Sequence, residues 1–204
     1  MKNTSWGVLL IIVLGINTVV WLGLKNRPGI SAENGPMENF QAVCLAISFL
    51  LWLTASLRSK NYSETILLSA LALFSLTFLI LEVDTRSFDA QLFNKLFNGK
   101  IRNAWLGALW LVVGLFFSRS AKLTWAGFRH WMKTWSGILM VVSGAFWIAS
   151  GLIDKGIVGQ KDFYHEELME TYATLLMALS AGLFLANQLF PNDLPPKSAN
   201  LPSN

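Results

Sequence analysis

The residues best suited to chemistry in this 204-residue chain are acids, and they gather in two short segments. The first is Glu82-Val-Asp84-Thr-Arg86, which closes an apolar run. The second is Tyr164-His165-Glu166-Glu167-Leu-Met-Glu170-Thr-Tyr172, which opens another. Glu82 and Asp84 stand at a helix C-terminal end, where the dipole disfavours negative charge, so they call for a cation. Arg86, four residues after Glu82, is placed to supply it. In the second segment, Glu166 and Glu170 are four apart and Glu167 and Glu170 three apart, so like charges meet on adjacent turns. The N-terminal dipole favours them there. Glu170 lies inside the apolar run, where an ionisable group is costly and is normally paired or lines a polar cavity.

Three chemistries fit these residues. In the first, Arg86, Arg102 and Lys161 neutralise Glu82, Asp84, Glu167 and Glu170 in an ion network that locks the helices together. In the second, His165, Glu166 and Glu170, with the neighbouring acids, hold a metal ion, since carboxylates with one imidazole suit a hard or borderline divalent cation. In the third, the acids with Arg86 and Arg102 form a polar site for a lipid headgroup, a small solute or a proton. No cofactor is predicted; a divalent metal belongs to the second reading alone.

Other chemistries drop out. The single cysteine, Cys44, excludes an intrachain disulfide and a thiolate zinc site. His130 and His165 fall on opposite sides of the predicted topology and cannot share a haem. No phosphate-binding glycine loop is present, and no serine or cysteine has a histidine beside it in sequence. The pI of 9.3 would suit nucleic acid if the basic residues clustered on a soluble face. They are scattered over short loops instead, as membrane proteins carry them, so no nucleic-acid partner is expected.

The elements that must position these residues are membrane helices. Hydrophobic residues make up 53% of the chain and charged residues 14%, against about a quarter charged in soluble proteins. Six runs approach the roughly 20 apolar residues a span requires: Trp6–Leu24, Ala42–Leu57, Thr65–Leu81, Ala104–Ser118, Trp135–Ile153 and Leu168–Leu189. The expected fold is therefore all-α, a polytopic six-helix transmembrane bundle over residues 1–189 with short interfacial helices in its loops. Residues 190–204, polar and proline-rich, read as a disordered cytoplasmic tail. The first run reads as a retained helix, being too long for a signal-peptide core and lacking a cleavage motif. The midspan amide Asn17 reads as a helix–helix hydrogen bond.

Trp6, Trp21, Trp105, Trp125, Trp131 and Trp135 fall near run ends, at headgroup level. Between the fourth and fifth runs, Trp125, Phe128, Trp131, Met132 and Trp135 share one broad helical face, while Lys122, Arg129 and Lys133 fall largely on another. Such a helix lies in the membrane surface, with the three cations in contact with anionic headgroups. A second short helix is expected around Leu92, Phe93, Leu96 and Phe97. The seven-residue repeat Ser136-Gly137, Ser143-Gly144, Ser150-Gly151, with Gly107 and Gly114 in the fourth run, predicts close packing of spans four and five against each other or a symmetry mate.

Six spans place both termini on one side. That side carries eight basic and two acidic residues, net +6; the other carries eight basic and ten acidic, net −2. Lysine and arginine alone do not decide the orientation. The acids tip it, placing the termini in the cytoplasm and the acidic segments at the outer mouth.

The pairing of Leu81-Glu-Val-Asp84-Thr-Arg86 with Glu166-Glu-x-x-Glu170 resembles a pattern in small, uncharacterised bacterial multi-pass membrane proteins. The motifs cover about 15 of the 204 residues. The resemblance implies a bacterial inner-membrane setting and pairs the two acidic segments; it implies no activity. Ceramidase-like membrane hydrolases are also compact bundles with polar residues near one surface. They need several intramembrane histidines, which this chain lacks, so their activity is not carried over. The leading expectation is a non-enzymatic binding or assembly component with a charged site at the periplasmic mouth. A metal-dependent membrane enzyme is the alternative. A small-solute transporter comes third, because the span centres carry no charge and no paired glycine–proline breaks.

Overall fold

A computed structural model describes residues 3–31, 35–83, 97, 99–157 and 162–189, with side chains from Gly7 onward except Leu9. All regular structure among them is helical. In chain order the helices are α1 (Asn3–Leu24), α2 (Pro36–Arg58), α3 (Tyr62–Glu82), α4 (Gly99–Arg119), α5 (Ala121–Trp131), α6 (Trp135–Asp154) and α7 (Phe163–Leu189). Five of them (α2, α3, α4, α6 and α7) are long and apolar enough to cross a membrane, and Leu10–Leu24 of α1 is a shorter apolar stretch. The expected helix over Leu92–Phe97, the tail at 190–204 and the residues Asp84, Arg86 and Lys161 lie outside the described residues or largely so.

Local chemistry sets the helix ends. Pro36 starts α2, where its missing N–H costs nothing. Asn61 caps α3 by accepting from Ser63 N–H, and Thr134 caps α6 by accepting from Gly137 N–H. Helix α7 runs unbroken for 27 residues, so His165 and the three glutamates belong to its first turns.

Helix α7 is the axis of the bundle. It packs along α2 on one side and α6 on the other, and α3 packs against α2. Small hydroxyl side chains form the seams, as expected where apolar burial gives little drive for association. Ser48 and Ser75 hydrogen-bond at 2.9 Å between α2 and α3. Ser136 donates to the Ser180 carbonyl at 2.9 Å, and Ser143 to the Ala173 carbonyl at 2.7 Å, between α6 and α7. The serine face of the repeat therefore meets α7 rather than α4, which corrects the expected packing of spans four and five against each other within one chain. Helix α4 packs against α3, with Trp110 Nε1 donating to Thr77 Oγ1 at 3.0 Å, and Leu106 is its one buried residue among those described. A side chain added at Gly107, Gly114, Gly144 or Gly151 would meet nothing within 4 Å. Asn17 also differs from expectation: it accepts from Trp21 Nε1 at 2.9 Å, one turn along its own helix.

Much of the outer surface is apolar, including Ile11 (72% exposed), Ile148 and Leu111, as suits helices facing hydrocarbon. The expected helix between the fourth and fifth runs is α5, whose apolar and basic residues lie on separate faces, the apolar one turned to the bundle. Trp131 is buried and Phe128 and Met132 pack on the core, while Lys122, Arg129 and Lys133 are exposed.

Candidate functional site

Five helix ends converge at one end of the bundle. Tyr164 Oη donates to the Trp21 carbonyl at 2.8 Å, joining α7 to α1, and the Trp21 ring packs edge-on against Phe40 of α2. Ile30 and Met37 complete this cluster. On that apolar base, the last residue of α3 meets the second turn of α7. The carboxylates of Glu82, Glu167 and Glu170 come together, each offering an oxygen within 4.8 Å of the others, and all three are half-buried. They form the site.

Neighbouring helices supply neutral groups. Gln41 of α2 is wholly buried; its Nε2 donates to Glu167 Oε2 at 2.8 Å and to the Glu167 carbonyl at 3.1 Å. Its Oε1 is buried and has no partner among the described residues. Ser150 of α6 donates to Glu170 Oε1 at 2.6 Å. Further negative charge acts on the cluster from Glu38, Glu166 and Asp154. Among the described residues no lysine or arginine pairs with Glu82, Glu167 or Glu170. Arg102 donates to its neighbour Asn103 at 3.3 Å, and Lys25 sits over the Tyr164 ring, 5.1 Å from its centroid.

Two unit charges at this separation repel by about 3–4 kcal/mol at an effective dielectric constant near 20. Three ionised carboxylates would thus cost an appreciable part of a folding free energy of about 5–15 kcal/mol. Either a cation or bound protons must offset that charge. The helix dipole opposes Glu82 at the end of α3, and Glu167 and Glu170 lie past the first turn of α7, where its dipole would favour them.

Of the acids singled out in the two segments, the structure brings Glu82, Glu167 and Glu170 together, one oxygen of each within 4.8 Å of the others. It does not bring His165 in. His165 Nδ1 lies 2.6 Å from Asp162 Oδ2 on the exposed face of α7, so the set His165, Glu166, Glu170 is replaced by one drawn from two helices. Hydrogen bonding with His165 holds the Asp162 carboxylate below the ordinary carboxylate range. Gln41 and Ser150 were missed. Ser150 carried a signal, the repeat in α6, but it was read as packing; Gln41 carried only its polarity at the start of an apolar run.

No family model, curated protein or solved structure matches this chain. The site must be interpreted from its own geometry.

Proposed function

We propose that the chain is a six-span, non-enzymatic protein of a bacterial inner membrane that binds a hard cation between Glu82, Glu167 and Glu170 at its periplasmic mouth. The observation that carries this reading is the approach of three carboxylates, one oxygen of each within 4.8 Å of the others, with no basic partner among the described residues. The three carboxylates offer oxygen ligands, and Gln41 and Ser150, which hydrogen-bond Glu167 and Glu170, carry further oxygens. Such a set favours calcium, magnesium or manganese over softer ions. The exposed His165–Asp162 pair leaves the imidazole outside this set, which weakens the enzymatic alternative. The sixth span is assigned to α1, whose C-terminal end joins the same cluster. The periplasmic assignment rests on the charge asymmetry, and the bacterial setting on the motif resemblance.

The test is metal analysis of the purified protein together with its melting temperature in detergent, with and without added calcium, magnesium or manganese. Near-stoichiometric metal, or a concentration-dependent rise in melting temperature, is expected for the wild type. Both should be lost in Glu167→Gln and Glu170→Gln variants that still fold. A wild type that neither holds metal nor responds to any of the three ions would overturn the proposal.

A further inference from the structure

The opposite end of the bundle holds a second, unrelated arrangement. Along α7, Gln188 lies 18 residues beyond Glu170, about 27 Å at the helical rise, so this arrangement is nearly a hydrocarbon thickness from the carboxylates. A cavity of about 430 Å³ opens there between the α2–α3 turn, α5 and the end of α7. Asn61, Ser63, Glu64, His130, Thr134 and Gln188 supply its polar lining, and Leu67, Trp131 and Phe184 its apolar floor. Beside it, a groove of about 410 Å³ runs between α3, α4, α5 and α6, walled by Phe74, Trp110, Phe117 and Phe128. Leu67 and Trp131 line both spaces. A polar chamber and a hydrocarbon-lined trough therefore share a wall, in the order headgroup then chain that an amphiphile presents.

The chamber also carries a sign. Its lining includes one carboxylate, Glu64, and neither lysine nor arginine. Ser59 fixes that carboxylate by donating to Oε2 at 2.8 Å. Gln188 adds a buried Oε1 with no partner among the described residues. With that carboxylate and no lysine or arginine in the lining, the matching head carries positive charge, and the Trp131 and Phe184 rings add surfaces that attract cations. Just outside, the exposed residues Lys60, Arg129 and Lys133 adjoin the lining residues Asn61, His130 and Thr134 in sequence. A group with an ammonium inside and a phosphate outside satisfies both charges.

We propose that this end of the bundle binds one phospholipid with a primary-ammonium headgroup of the ethanolamine class, its ammonium at Glu64 and one acyl chain in the groove between α3 and α5. The basic face of α5 attracts anionic lipid in general; the chamber selects against it.

Native mass spectrometry of delipidated protein tests this, after addition of phosphatidylethanolamine, phosphatidylglycerol or phosphatidylcholine with identical chains. The wild type should retain one phosphatidylethanolamine with at least a roughly tenfold preference, the size of one hydrogen bond to a charged group. Glu64→Gln should abolish the preference while leaving helix content and melting temperature unchanged. Ala70 also lines the groove, and Ala70→Phe, which fills it, should reduce retention of all three lipids. Equal retention of ethanolamine and glycerol lipids by the wild type would overturn the proposal. So would a preference that survives Glu64→Gln, or equal competition by soluble glycerophosphoethanolamine, which has no chain for the groove.

Discussion

At the scale of single residues, Asp162 shows how a side chain outside the site supports it. Its Oδ1 accepts from the backbone N–H groups of Tyr164 at 3.0 Å and His165 at 3.3 Å, and its Oδ2 meets the His165 ring. It thus satisfies orphan donors at the start of α7, the helix that presents Glu167 and Glu170. Because these bonds favour the charged form, the folded-state pKa is depressed. The resulting stability is present above the unfolded pKa and is lost as pH falls through the folded value. Asp162→Ala should therefore lower the melting temperature at neutral pH, and the gap to wild type should narrow below the ordinary value of 3.8. Asp162→Asn, which keeps the cap but not the charge, should fall between them; a pH-independent gap would assign the whole effect to capping. The sequence disclosed Glu170 through its depth in an apolar run, and Glu82 and Glu167 through their places at run ends. It could not disclose Gln41, 126 positions from Glu167, because only folding sets which span faces which.

At the scale of elements, the serine–glycine repeat of α6 shows what periodicity can and cannot convey. Serine and glycine stripes are adjacent in sequence but about 100° apart around the helix, and either could have been the contact face. The serines make the contact, because α7 offers the Ala173 and Ser180 carbonyls as acceptors, whereas Gly144 and Gly151 face open space. Gly137 is the exception. A Cβ there would lie 2.2 Å from the Trp131 carbonyl oxygen and 2.6 Å from Met132 Cα, both backbone atoms, at the tight corner between α5 and α6. Overpacking usually costs about 1–3 kcal/mol, and a rigid backbone neighbour places Gly137→Ala at or above the top of that range. Gly144→Ala should instead stabilise by up to about 1 kcal/mol through helix propensity. Unfolding titrations in mixed micelles should separate the two variants in opposite directions from wild type. Equal effects would mean the corner is looser than its geometry implies.

At the scale of the whole molecule, hydropathy alone located the apolar segments, because each span must bury its backbone and expose its side chains to lipid regardless of its neighbours. Helices α2, α3, α4, α6 and α7 contain the predicted runs and extend a few residues beyond them. Their order of packing was not legible, since lipid-facing and helix-facing apolar residues look alike in sequence. The convergence of α1, α2, α3, α6 and α7 ends at the carboxylates requires successive long helices to alternate in direction. That alternation places Lys60 and Lys155, both exposed, at opposite ends of the bundle. In a Cys44→Ala background, Lys155→Cys should react with a membrane-impermeant maleimide on intact spheroplasts, while Lys60→Cys should react only after lysis. Cys44 is buried in α2, so its removal should leave a small change in melting temperature as its only effect. Labelling of Lys60→Cys alone would invert the orientation and move the carboxylates to the cytoplasmic face, leaving their geometry intact. Labelling of both would contradict the alternation itself, because a chain that crosses the membrane three times between two sites, through α3, α4 and α6, must leave them on opposite sides.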